Sequence, residues 1–144
     1  IFGKLEVGLS TSSISMTATS DGKLGIGTIT PVATYDVVGG EVVGIVTGNV
    51  NGSITLDASS SNYFKYTATG NGTISFSGIV TNRAYFATLE LTNGGAYTIS
   101  WDSSIKWPGG VSPTLVSSGT DILTFVSTDA GTNIRGTLSI ADAR

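Results

Sequence analysis

The sequence predicts an all-β protein: an antiparallel β-sandwich preceded by an extended N-terminal β segment. Three observations carry this. Apolar residues make up 40% of the 144-residue chain and charged residues only 12%, about half the usual charged share. Ser and Thr together supply roughly a quarter of the residues, a composition in which Thr and Val suit strands while Gly, Asn and Ser suit turns. From Ser53 onward, short runs of alternating apolar and polar residues recur, punctuated by Gly or Asn, the mark of strands with one buried face.

Residues 1–47 hold five short β-prone pieces, KLEVGL, SISMTA, KLGIGT, YDVVGG and EVVGIV, whose only aromatic residues are Phe2 and Tyr35. Strands without bulky side chains must bury against another surface. That surface is either the downstream domain, which the pieces would complete, or copies of the same segment. The second choice predicts oligomerisation and an N-terminal segment of 1–47 distinct from a sandwich of 48–144. The chain begins at Ile1 rather than Met, which suggests a processed product or a piece of a longer protein.

The sandwich strands follow in order. SITLDAS sets Ile54, Leu56 and Ala58 on one face, NYFKYTAT comes next, and TISFSG repeats the alternation with Ile74 and Phe76. In AYFATLELT, Tyr85, Ala87, Leu89 and Leu91 point one way and Phe86, Thr88, Glu90 and Thr92 the other. AYTISWD alternates through Tyr97, Ile99 and Trp101. DILTFVS is apolar on both faces and belongs at the centre of a sheet. NIRGTLSIA places Ile134, Leu138 and Ile140 inward and Arg135, Thr137 and Ser139 outward. Gly70 to Gly72, Asn93 to Gly95 and Asp129 to Asn133 read as hairpin turns. In IKWPGGVSPTL, Trp107 reads as a plug at one end of the sandwich, and one of Gly109 and Gly110 as needing positive φ.

The same residues exclude several chemistries. The chain has no Cys and no His, which removes disulfides, thiolate and Ser-His-Asp nucleophiles and imidazole metal sites. Ten acidic residues show no spacing that selects a catalytic pair, and most suit turns where Asp bonds the local backbone. DAGTN lacks the ligand repeat of a calcium loop. GKLGIGT lacks both the third Gly of a dinucleotide fingerprint and the terminal Lys-Ser/Thr of a phosphate loop. Net charge of −3 with seven scattered basic residues argues against nucleic acid, and no apolar run is long enough to span a membrane. No cofactor, metal or catalytic residue is expected. Trp107, beside two glycines, and whichever of Phe64 or Tyr66 faces outward stand out as candidate receptor contacts, with Trp107 and Tyr66 the residues chosen.

Two stretches carry a resemblance. IKWPGGVSPTLVSSGTDILTFVSTDAGTNIRGTL resembles a module of bacteriophage tail-fibre and other virion structural proteins, on Trp107, Pro108, Gly109, Gly110, Pro113, Asp121, Phe125 and Gly131. GKLGIGTITPVATYDVVGG is similar to a Gly-Ile-Gly-Thr segment of phage fibres that interlocks as a trimer. Ala130 stands where that pattern has Gly, and Tyr35 where it has Leu. The resemblance implies a homotrimeric tail-fibre component, extracellular on the virion, with other tail proteins and a host-surface polysaccharide or protein as partners, acting by binding and not catalysis. The alternative is a filament or capsid-decoration subunit assembled by strand exchange.

Overall fold

The computed structural model describes residues 5–8 and 14–144, with side chains from Met16 onward; Phe2 lies outside the described residues. The chain is all-β, with strands of mixed orientation. It divides into two units, Ile1–Val42 and Val43–Arg144. The boundary falls a few residues before the expected one, because the strand that begins at Ile45 already pairs within the second unit.

The first unit is a four-stranded sheet of β1 (Leu5–Gly8), β2 (Ile14–Ala18), β3 (Leu24–Ile26) and β4 (Tyr35–Val37), in that order. β2 and β3 form a hairpin closed by Thr19, which accepts the Lys23 amide on its Oγ1 at 3.0 Å. β4 returns parallel to β3. Gly27 makes this return possible: it sits at φ +75, and a Cβ there would stand 2.5 Å from the Val38 carbonyl oxygen. The GIGT glycines are thus places of close backbone approach.

The second unit holds β5 (Ile45–Asp57), β6 (Tyr63–Ser77), β7 (Tyr85–Thr92), β8 (Ile99–Trp101), β9 (Ile105–Lys106), β10 (Thr120–Ser127) and β11 (Ile134–Ala143). β5 and β6 run parallel along their whole length. A straight strand of 13 residues would span about 43 Å, whereas the link 58–62 reaches only about 20 Å. β5 must therefore fold back on itself. It does so at Asn51–Gly52, where the register moves from Val50↔Ala68 to Gly52↔Gly72. Ser61 closes the turn: its Oγ donates to the Gly44 carbonyl at 2.5 Å and its amide to the Asp57 carbonyl at 3.3 Å, bringing both ends of β5 to one residue.

Successive turns of the coil stack on this plan. The first arm of β6 pairs parallel with β7 and its second arm parallel with β8, while a 3₁₀ turn at Gly94–Ala96 makes the third corner. The inward residues of the two arms meet, as Phe64 of the first arm meets Phe76 of the second edge-on at 6.4 Å. The pattern then changes. β10 adds antiparallel to β7, β11 antiparallel to β10, and β9 parallel to β11.

The antiparallel arrangement expected from the sequence is thereby corrected to a mixed one. Gly70 to Gly72 is a corner inside β6, and Asn93 to Gly95 joins two strands that do not pair; only Asp129 to Asn133 closes a hairpin, between β10 and β11. Asn-Gly favours tight turning whether the chain reverses onto its neighbour or bends within a strand. The stacking of β5 on β6 decides for the bend.

Alternation places most of the core as expected, with Leu56, Phe64, Ile74, Leu89, Leu91 and Leu123 fully buried. Ile140 is an exception: the register slips between Leu123↔Leu138 and Ile122↔Ile140, so Ser139 bulges and Ile140 turns outward, half exposed. Gly109 and Gly110 both adopt positive φ, +65 and +76, with open space around each Cβ position. Each Gly→Val change there should cost about 1–3 kcal/mol through backbone strain alone, whereas Ala130→Gly, relieving φ +57, should add about 1 kcal/mol; urea midpoints of the three variants check both signs.

Candidate functional site

Strand pairing builds a row of outward side chains across three strands. Val126 of β10 lies opposite Phe86 of β7 on one side and Arg135 of β11 on the other. Directly opposed residues share a face, so all three stand on the outer surface. Arg135 in turn pairs with Lys106 of β9. Two residues along lies a second row, Tyr63, Thr88, Thr124 and Thr137. Between them these rows line a shallow depression of about 490 Å³, with Val43 and Asn62 at its rim and no carboxylate in its wall. A second depression of about 470 Å³, lined by Ser59, Ser60, Ser61 and Tyr85, adjoins the other side of Phe86.

Phe86 is 64% exposed, and beside Val126 it makes an apolar patch on strands whose inner face is packed. The polar side of the row is ordered by neighbours. Tyr63 donates its hydroxyl to Glu90 at 2.5 Å, and Lys65 pairs with the same carboxylate at 3.4 Å. The hydrogen bond to Glu90 raises the Tyr63 hydroxyl above its ordinary value, with burial and the Glu90 charge adding to it. Tyr85, facing inward, is pushed up to about 12 by burial and by Asp57; its hydroxyl donates to the Ser61 carbonyl at 2.7 Å.

The two aromatic residues singled out in the sequence lie elsewhere. Tyr66 is half-buried against the core, its ring over Gly48, where a Cβ would stand 2.7 Å from the ring. Phe64, two residues before it on the same face, is also inward, so neither of these two rings reaches the outer surface. Trp107 packs edge-on to Trp101 at 4.9 Å and to Phe125 at 5.8 Å, above Gly136. It plugs the core. The most exposed aromatic ring among the described residues is Phe86, and its signal was the alternation in AYFATLELT, which sets it opposite Tyr85 and Ala87.

Three of the carboxylates serve turns. Asp57 bonds Ser59, Asp102 bonds Ser104 and Asp129 bonds Asn133, and these bonds, to Ser59, Ser104 and Asn133 respectively, hold each acid below its ordinary range. Depressed folded values mean that the unfolded chain binds protons first, so this stability is complete above the ordinary carboxylate value and is lost as pH falls through the folded one. Acid titration of the melting temperature should show that loss below about pH 4, and the triple Asp→Asn variant should flatten it. Among the described residues, no three carboxylates come together as a metal site. No helix of the described residues is long and apolar enough to cross a membrane. The chain matches no family model, no curated protein and no solved structure.

Proposed function

We propose that the protein is a structural component of a bacteriophage tail fibre, homotrimeric, extracellular on the virion, and contributing to host attachment by binding and not catalysis. The observation that carries this reading is the state of the first unit. Among its described side chains no large apolar residue is buried, while Val32, Val42, Val38, Tyr35 and Ile29 are 86%, 95%, 64%, 56% and 51% exposed. Thr17 is fully buried there, and its hydroxyl has no hydrogen-bond partner among the described residues. Strands whose described side chains leave no large apolar residue fully buried need another surface to be stable, and copies of the same segment supply one. The Gly-Ile-Gly-Thr and Trp-Pro-Gly-Gly resemblances support three copies and a virion role.

Size-exclusion chromatography with light scattering tests this. The expected mass is three times the 14.6 kDa of one chain, and Val38→Asp should shift it toward one. A monomer at every workable concentration would sink the reading. A second reading, an open filament built by strand exchange, is favoured by β5, whose outer edge ends the sheet unpaired among the described residues. Electron microscopy separates the two, since a trimer closes and head-to-tail addition does not.

A further inference from the structure

We infer that the row Phe86–Val126–Arg135 is a binding site for an acidic glycan, with a pyranose ring on Phe86 and its carboxylate on Arg135. The inference rests on the attachment reading and names the ligand class and place that attachment would use. The geometry comes from the sheet itself: Phe86 and Arg135 flank Val126 at two strand spacings, about 10 Å between backbones. That leaves room over the small Val126 side chain for one sugar ring between an aromatic wall and a guanidinium.

The chemistry of the walls suits such a ligand. A pyranose has an apolar face that an exposed ring covers, and Thr88, Thr137 and Asn62 supply hydroxyl and amide partners along the adjoining row and rim. The charge decides for an acid. In a chain of net charge −3, the depression contains Arg135 and no carboxylate, and Lys106 continues the same row. Two acids lie close by: Asp129, in the turn before β11, feels the Arg135 charge but has both oxygens hydrogen-bonded by Ser127 and Asn133, and Glu90, which accepts the Tyr63 hydroxyl, is paired with Lys65. Among the described residues Arg135 forms no ion pair. Its planar fork matches a carboxylate in two parallel hydrogen bonds.

The test is an NMR-monitored titration of the intact, isotope-labelled protein with oligogalacturonate, a hyaluronan tetrasaccharide and a sialylated trisaccharide, beside the carboxyl-reduced forms. At least one acidic sugar should shift the amides of Phe86, Val126 and Arg135. Phe86→Ala, Arg135→Gln and carboxyl reduction should each weaken that binding tenfold or more, while Lys23→Gln in the other unit leaves it unchanged. Both groove substitutions lie at exposed positions, and unchanged melting curves confirm that they fold. Absence of binding to all three sugars, or binding indifferent to both substitutions, overturns the inference. So does a Phe86→Ala variant that loses only self-association, which would make the groove a contact between copies. A trimer that binds no acidic sugar leaves the fibre reading standing, and a monomer that binds one leaves the site standing without the fibre.

Discussion

Phe125→Ala lowers the unfolding free energy of the 43–144 unit by about 3–5 kcal/mol, read as a lower urea midpoint at unchanged slope. Phe125 is 3% exposed and its ring is shared by Phe76 at 5.0 Å, Trp107 at 5.8 Å and Trp101 at 6.1 Å. It is the point where the antiparallel strand β10 meets the second arm of the coil. The surrounding rings hang from strands tied into ladders, so they cannot collapse into the space left behind. Most of the removed contact therefore stays lost. Phe125→Leu, which keeps much of the volume, should cost less than half as much. Emission from Trp101 and Trp107 should shift red in the Ala variant as water gains access, and a loss under about 1 kcal/mol would show that this aromatic cluster does not hold β10 to the second arm.

Asp121→Ala should cost about 2–4 kcal/mol, for a different reason. The side chain is fully buried and accepts the Val116 amide on Oδ2 at 2.7 Å and the Asp142 amide on Oδ1 at 3.1 Å. One carboxylate thereby pins the long loop after Trp107 and the end of β11 to the same strand. The loop is further tied at the third corner, where Gly95 donates to the Val116 carbonyl and Asn93 to that of Gly119. Truncation leaves two partly buried N–H groups without acceptors, and Asp121→Asn, which retains one acceptor oxygen, should fall between. Hydrogen exchange at Val116 and Asp142 should accelerate before the rest of the sheet. Unchanged exchange there would refute the clasp.

Asp121 also shows how far local patterns reach. Most acids in this chain could be placed at turns from their neighbours, and Asp57, Asp102 and Asp129 are found there. Asp121 sits inside a strand and faces the core, because its two partners come from segments before and after β10. Nothing within a few residues of it announces that. The inner and outer faces of AYFATLELT were legible because alternation is a property of the strand alone. Ile140 was misplaced because one bulged residue, Ser139, reverses the alternation that follows it.

The stacked turns left a trace in the sequence. NGSITLD at Asn51–Asp57 recurs as NGTISFS at Asn71–Ser77, and these segments lie side by side in register, Gly52 on Gly72 and Leu56 on Phe76. Such self-similarity is the mark of a repeating unit that buries its face on the next copy. It also explains why Asn-Gly here bends a strand instead of closing a hairpin. Asn71 caps the third corner by accepting the Thr98 amide at 2.9 Å, a use of the side chain that only stacking makes available.

By itself, the sequence determined that this chain is β-rich, which side chains alternate inward, and that no thiol or imidazole chemistry is open to it. These follow from composition and from a two-residue period, both local. The tertiary structure alone decided that strands run parallel where turns suggested reversal, that Tyr66 serves the core, and that Phe86, Val126 and Arg135 share one row. Those outcomes depend on which strand pairs with which and in what register, and pairing between segments tens of residues apart is settled by burial over the whole unit, not by the residues that pair.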